Sequence, residues 1–521
     1  MKTNKLINIL LSGLLVVFVF GGCTSDFEEI NTNKRVLAEL DQATIGNVYA
    51  ATQFNGLMQG WDFQTSQNLF SDLYSQYYSN WQTKFQTDRN VLNRDWLGGA
   101  WSGFYGQAGK NMEVILDATD PAVSPGLEKQ YALAQIWKVF MYQRITDYWG
   151  PIPYSQVNNA ENTVPYDSQQ DIYADFISLL DAATTMLASY HGENAYGTND
   201  QIYGGDVDKW ITFANTLRLR VALRISKVDP ARAKTQAEKA VADGVMETND
   251  DNAIFQTSGN ENTGGWNALC IMLPWNEFRM SASMESVLKG YNDPRLSAYF
   301  QPAVNDGEYR GMRNGLSVVQ ISEPQRHYDN ISTMSPRWAT YANIGKTPVE
   351  VILASEAYLL RAEGALKGWS MGITAEEAYN KGIEMSLEYW GADAATIAAY
   401  QQSMATPAAV SDFDSPPMTN IPVKFGSDPA TQLEQIITQK WLALFPDGWE
   451  AWADRRRLEL PKLYDIMVSD NPDVPVGQIM RRVGYVPGEM ATNKEALDDG
   501  IVKLGGPDKA NTRLWWDPPL K

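Results

Sequence analysis

Residues 127–153 read LEKQYALAQIWKVFMYQRITDYWGPIP. Leu133, Ile136, Trp137, Phe140, Met141, Ile145 and Tyr148 recur at the three- and four-residue spacing of one helix face, which predicts a helix over 127–148. Gly150-Pro151-Ile152-Pro153 stops it, because glycine and proline punctuate a helical pattern. The same grammar recurs on both sides of this stretch. Ser168 with Asp171 forms a cap that starts a second helix ending near residue 188. A third spans 209–226. Asp229-Pro230 places a capping residue before a proline at the first helical position, and that helix ends near Gly244.

Further along, Thr347-Pro348-Val349-Glu350 combines a cap, a proline and an acid, and predicts a helix that is apolar nearly all round and closes at Gly368. Thr374 to Glu377 is another capping box, with a helix ending at Trp390-Gly391. Two more, 433–445 and 449–460, are split by Pro446-Asp447-Gly448. Helices therefore come in pairs of about 35–45 residues, the period of tetratricopeptide-type arrays. The fold class expected is mainly α: tetratricopeptide-like helix pairs forming a scaffold, with long irregular insertions at 245–275, 301–346 and 464–521. Loops of that length are usually functional or carry a further subregion. No long linker divides 41–521, which reads as a single helical body.

The amino terminus has a different character. Lys2 and Lys5 precede an apolar run over 6–20, and Gly21-Gly22 sit just before Cys23. That is the layout of a secretory signal, 1–22, too short and too lightly flanked for a membrane span. Phe20-Gly21-Gly22-Cys23 resembles a bacterial lipobox, in which the cysteine thiolate takes the lipid. Residues 23–40 then form an acidic tether to the outer membrane. An ordinary secretion signal that happens to contain a cysteine is the alternative.

Composition narrows the function. The net charge is −19, which argues against nucleic acid and against electrostatic docking on anionic lipid. With Cys23 lipidated, Cys270 stands alone in an apolar run and reads as a buried small hydrophobe. His191 and His327 are far apart, so zinc sites and histidine-based triads lack support, and no cofactor or metal is expected. The informative excess is aromatic: 17 Trp and 25 Tyr.

Motifs along the chain resemble the SusD/RagB-like outer-membrane lipoproteins, in a branch distinct from the founding starch-binding protein. Phe27 to Asn33 is similar to the family's opening, and Ile145 to Pro153 to its most recognisable internal motif. Gly205-Asp206 with Trp210 and Phe213 to Arg220, then Asn292 to Leu296, Tyr309-Arg310-Gly311 and Asn314-Gly315 follow in order. Glu356, Ala362-Glu363, Gly368-Trp369, Ile436 to Trp441, Asp447 to Trp452, and Arg481-Arg482 with Tyr485 and Pro487 complete the series. The resemblance implies a lipid-anchored, surface-exposed lid on a SusC-type TonB-dependent transporter. Such a lid captures an oligosaccharide, or in some members a peptide, and hands it to the barrel.

Residues 61–105 hold twelve aromatics, and flat rings stack on sugar faces at small entropic cost. Tyr78, Asn80 and Trp81 are the candidate ligand contacts there, with Asp88, Arg89 and Asn90 as further hydrogen-bonding groups. The competing reading is core, since Phe70, Leu73, Tyr74, Tyr77 and Trp81 fall at helical spacing. Trp266, after Gly264-Gly265, and Trp338 are candidates in the long loops, and the paired glycines favour an exposed, mobile position for Trp266. The arginines at 218, 220 and 224 and at 455–457 read as internal ion-pairing groups, and Asn249 to Asn252 as a solvated turn. An enzyme reading would use Asp447 and Glu450 as the two carboxylates of a glycosidase. A helical scaffold with no ligand of its own is a third possibility. No catalytic residue is assigned.

Overall fold

The computed structural model describes residues 42–158, 163–259 and 265–520. The signal segment, Cys23 and the tether over 23–40 lie outside the described residues. Residues 46–521 form one compact unit.

The helices of the scaffold are α1 (Gln42–Gly56), α2 (Arg94–Gly103), α3 (Lys110–Thr119), α4 (Glu128–Trp149), α5 (Gln169–Leu187), α6 (Val207–Arg224) and α7 (Pro230–Asp243). They continue with α8 (Ala282–Gly290), α9 (Ala354–Leu366), α10 (Ala375–Tyr389), α11 (Ala394–Gln401), α12 (Pro429–Ala443), α13 (Gly448–Leu458) and α14 (Lys494–Leu504). Consecutive helices pack as pairs: α4 with α5, α6 with α7, α9 with α10. Contacts between α5 and α6, and between α9 and α12, join the pairs into a tetratricopeptide-like scaffold. The caps do what their sequences predict. Ser168, Asp229 and Thr374 accept from the backbone N–H groups of Asp171, Arg232 and Glu377.

Helix α4 is the axis of the body, and it is not a one-sided helix. Every residue from Ala132 to Trp149 is buried. Most of its charged groups are therefore partnered rather than solvated, although the Tyr142 hydroxyl and the side-chain oxygens of Gln135 and Gln143 are buried without a hydrogen bond among the described residues. Lys138 pairs with Glu113 at 2.7 Å, Asp147 accepts from the Tyr173 hydroxyl at 2.5 Å, and the Arg144 guanidinium donates to the Leu57 carbonyl at 3.3 Å. Each fully buried large apolar side chain contributes roughly 1.5–3 kcal/mol. The helix stops at Gly150, whose φ of +94° suits glycine. A Cβ there would also sit 3.0 Å from Leu504 and 3.1 Å from Leu514. Arg482 donates to the Trp149 carbonyl at 2.8 Å, and the Tyr485 hydroxyl to the Pro151 carbonyl at 2.9 Å. The motif that ends α4 and the motif at 481–485 are thus two halves of one joint.

The arginine groups are interior. Arg220 grips Glu356 with two bonds of 2.8 and 2.6 Å, and Arg457 grips Glu363 with two of 2.6 Å. Arg224 reaches Glu450 at 2.5 Å, and Lys440 reaches Asp454 at 2.7 Å. All eight side chains are nearly or wholly buried. Burial alone would raise the Asp454 carboxyl; Lys440, Arg457 and Arg224 overcome it and hold the group well below the usual carboxylate range. Such pairs stabilise little over an apolar core, but breaking one leaves a buried charge unmatched. Glu450, a candidate glycosidase acid, is locked into this cluster. Asp447 accepts from the Trp449 N–H at 3.1 Å as the cap of α13. Neither carboxylate is presented as an open acid–base pair.

Three two-stranded ribbons stitch distant segments together. Strand β1 (Tyr78–Asn80) pairs antiparallel with β5 (Phe278–Met280), with Tyr78 opposite Met280 and Asn80 opposite Phe278. Strands β2 (Ile152–Pro153) and β3 (Tyr166–Asp167) pair, as do β4 (Ala253–Phe255) and β6 (Val349–Ile352).

The last ribbon corrects a sequence expectation. Thr347 does not cap a helix; its hydroxyl donates to the Arg337 carbonyl at 2.7 Å, and Val349–Ile352, β-branched at three of its four residues, takes strand form. Helix α9 begins at Ala354, and its cap comes from Asn252, whose side-chain oxygen accepts from the Ala354 N–H at 2.7 Å. The aromatic stretch from Phe70 differs as well. Helical turns end at Tyr74, Gln76 adopts φ +54°, and the chain leaves as β1. The segment 464–521 contains α14 and a short helix, Pro487–Thr492, rather than loop alone.

Candidate functional site

The β1–β5 ribbon decides where the exposed aromatics stand. Trp81 follows β1 directly, and Asn80 builds the turn that carries it. The Asn80 amide donates to the carbonyls of Gln82 at 2.9 Å and Phe85 at 3.0 Å, and its oxygen accepts from the Gln82 N–H at 2.8 Å. On the partner side, a single helical turn, Leu273–Trp275, ends at Asn276 with φ +62°. Asparagine tolerates that left-handed conformation better than most residues. The reversal feeds β5 and leaves Trp275 projecting, 39 % exposed. The Trp81 indole N–H donates to the Asn276 carbonyl, so the two turns are tied across 195 residues.

Two ring pairs result, Trp81 with Tyr328 and Trp275 with Tyr341, joined through Asn276 and backed by the buried Arg279. Trp81 lies 5.2 Å from Tyr328, centroid to centroid. Arg279 stands 5.9 Å from the Trp81 ring and 5.5 Å from the Tyr328 ring. It is fixed by donation to the carbonyls of Tyr328 at 3.1 Å and Phe278 at 2.7 Å, and to the Asn276 side chain. Burial pushes its pKa down to about 10, with Asp329 and Tyr328 opposing; it remains a cation at neutral pH. The Trp275 indole N–H donates to the Tyr341 hydroxyl at 2.8 Å. That bond satisfies the polar edge of Trp275, so its remaining exposed surface is apolar ring, while Tyr341 is 52 % exposed. At the rim, Glu277 accepts from Lys84 and from Gln64, each at 2.6 Å.

Flat faces whose indole N–H groups are already bonded, with the half-buried Asn276 amide beside them and the buried Arg279 fixing the turn from below, suit a ligand with apolar C–H faces and hydroxyl edges. Among the described residues, no group of three or more His, Cys, Asp or Glu is placed to hold a metal ion.

Of the residues singled out from sequence, Trp81 alone stands half-open on this face. Tyr78 and Trp338 have no exposed surface and Asn80 almost none, so a contact with ligand through these side chains is corrected to a positioning role. Tyr78 packs against Phe278 and Phe445, and Trp338 against Trp390 and Phe445. Trp266 is 7 % exposed rather than mobile at the surface. Its N–H donates to the Gln59 carbonyl at 2.7 Å, and its ring wedges between Phe54 and Trp61. Asp88, Arg89 and Asn90 are buried as well. Asp88 accepts from Asn314 at 2.8 Å, and burial raises its carboxyl to about 6. Trp275, Tyr328 and Tyr341 escaped the sequence reading. Pro274 ahead of Trp275, with Asn276 after it, is a turn signature flanking an aromatic, and it was the available clue.

The family model described as SusD and RagB outer membrane lipoprotein, SusD-like, matches residues 28–517. A comparison with curated proteins finds no match. Among solved structures, a chitin-binding SusD homolog from Flavobacterium johnsoniae is 35 % identical, covers 91 % of this chain and 99 % of its own, and superposes with a TM-score of 0.83. A SusD-like protein from Bacteroides thetaiotaomicron is 32 % identical over 91 % of this chain and 98 % of its own, at a TM-score of 0.81. A SusD homolog from Bacteroides vulgatus is 30 % identical over 90 % and 97 %, also at 0.81. The chain belongs to the SusD-like family of outer-membrane lipoproteins.

Proposed function

We propose that this protein captures oligosaccharides on the face built by Trp81, Trp275, Tyr328 and Tyr341 and delivers them to a SusC-type TonB-dependent transporter. The observation that carries the reading is the ring of Trp275, whose N–H is held by Tyr341 and whose remaining exposed surface is apolar. A sugar stacks on such a ring through its C–H groups, and the Asn276 amide, held in place by the buried Arg279, supplies a neighbouring polar contact. The chitin-binding relative from Flavobacterium johnsoniae points to β-linked N-acetylglucosamine oligomers as the first ligands to try. Capture is binding without turnover: Glu450 is held by Arg224 inside the body. Removal of residues 1–22 and lipid on Cys23 would leave the protein anchored, with 23–40 as tether.

The test is calorimetric titration of the full chain in detergent with chitooligosaccharides, with other glycans, and with a peptide mixture. Saturable glycan binding without release of reducing ends, weakened by Trp275→Ala, is the expected result. Peptide binding with no glycan signal would move the protein to the peptide-capturing members of the family. Release of reducing ends would revive a glycosidase. Copurification with a transporter but no ligand affinity would leave a scaffold role.

A further inference from the structure

A second opening lies beyond Trp266. Trp61 is 61 % exposed, and its ring meets Trp266 edge-on at 5.5 Å. Beside it is a cleft of about 420 Å³ with apolar walls from Phe54, Met58 and Phe104 and amides from Asn55 and Gln107. Asp62 projects into this cleft. The carboxylate rests on α2, where two glycines make room for it: a Cβ on Gly103 would stand 2.3 Å from one Asp62 oxygen, and one on Gly99 would stand 3.5 Å from the other. Among the described residues no cation and no hydrogen-bond donor meets this carboxylate, and its partial burial raises its pKa unopposed. Other half-buried acids without a cation, such as Asp167, Asp175 and Asp206, accept from Ser155, the Tyr154 hydroxyl and the Lys209 N–H; Asp62 is a carboxylate seated with neither donor nor counter-charge among the described residues.

We infer that the Trp61–Asp62 cleft is a second ligand site that takes a cationic amino sugar, a 2-amino-2-deoxyhexose unit with a free ammonium. The inference rests on the glycan reading of the aromatic face. The sugar ring lies against the exposed Trp61 face, its ammonium pairs with Asp62, and the Asn55 and Gln107 amides serve its hydroxyls. An ammonium is matched twice here, by the carboxylate and by the indole π-face. An N-acetylated unit offers an amide N–H but no charge, so the cleft discriminates by charge where the Trp275 face reads shape. Occupying both places lets one oligomer with mixed substitution engage the protein at two points.

The experiment titrates the full chain in detergent with three probes: the glucosamine hexamer with its amines protonated, the N-acetylglucosamine hexamer, and trilysine. Asp62→Asn should weaken the glucosamine hexamer about tenfold or more and leave the acetylated hexamer within about twofold. Gly103→Ala, which displaces the carboxylate, should act in the same direction. Trp275→Ala should weaken the acetylated hexamer. Glucosamine-hexamer binding that is absent, or indifferent to both Asp62→Asn and Gly103→Ala, overturns the inference. So does an equal loss for both hexamers, and so does trilysine binding through Asp62 as tightly as the amino sugar does. If the acetylated hexamer fails to bind while the glucosamine hexamer binds through Asp62, the cleft stands and the reading of the Trp275 face falls.

Discussion

The interior between α6, α9, α12 and α13 and the face around Trp275 are both made from cations and rings, and they are built in opposite ways. Inside, Arg220, Arg224, Lys440 and Arg457 meet carboxylates at close range, and Trp449 stacks on Tyr148 at 3.6 Å. Every such group has its partner within the chain. Beneath the face, the buried Arg279 donates to backbone carbonyls and an amide, and no carboxylate neutralises it at bonding distance among the described residues. Trp275 spends its N–H on Tyr341 and keeps its ring open. The difference separates what holds the body together from what the proposed capture role would present to a ligand. It also explains why the motifs of the family lie inside. Glu356, Glu363, Arg295 and Arg482 are buried partners of other motif residues or of the backbone, while the open rings sit in irregular turns.

The comparison can be broken at either end. Trp338→Ala should cost about 3–5 kcal/mol of stability, as expected for a wholly buried indole, and an unchanged urea midpoint would place that ring outside the core. Arg457→Ala leaves the buried Glu363 with only Lys367 at 3.6 Å, while Asp454 keeps Lys440, and should cost about 3 kcal/mol. A double-mutant cycle with Glu363→Ala should be strongly non-additive, and additivity would dissolve the pair.

Asp72 tests the interior by pH. Burial raises its carboxyl to about 7, against donation from Gln67 and Asn68, and Gly448 is glycine where a Cβ would lie 2.1 Å from it. The unfolded chain releases this proton near pH 4 while the native protein keeps it. Stability therefore falls as pH rises from about 4 to 7, by at most about 4 kcal/mol, and is level above that window. Asp72→Asn should flatten the difference in urea midpoint between pH 4.5 and pH 8; an unaltered pH dependence would sink the assignment.

On the face the effects move from stability to affinity. Trp275→Ala should lose about 2 kcal/mol of chitooligosaccharide binding while stability stays within about 0.5 kcal/mol. Tyr341→Phe removes only the acceptor for the Trp275 N–H and should cost about 0.5–1 kcal/mol of binding. A large stability loss in either variant would mean that the face is core after all.

Much of the scaffold was legible because caps and periodicity are local. Ser168, Asp229 and Thr374 mark their helices, and the arginine groups are paired inside as an acid-rich helical body requires. The 347–352 segment was misread because its cap-like Thr-Pro-Val-Glu is overruled by pairing with β4, a partner nearly a hundred residues away. The face was only partly legible. Trp81 could be picked from a dense aromatic run, but Tyr78 beside it points inward, and nothing local distinguishes the two. Trp338 and Tyr341 share one loop; packing against Trp390 and Phe445 buries the first and leaves the second open.

The three-residue ribbon of Tyr78–Asn80 with Phe278–Met280 also sets when the face can exist. Closing a loop of nearly two hundred residues carries an entropic cost that rises only slowly with length, and packing of the helices between the strands is what repays it, so the ribbon is expected to join after them. Neither strand brings half a site with it. Affinity for a sugar is then a late reporter of folding: a chain that has built its helix pairs but not joined this ribbon would show native-like helicity and remain blind to its ligand.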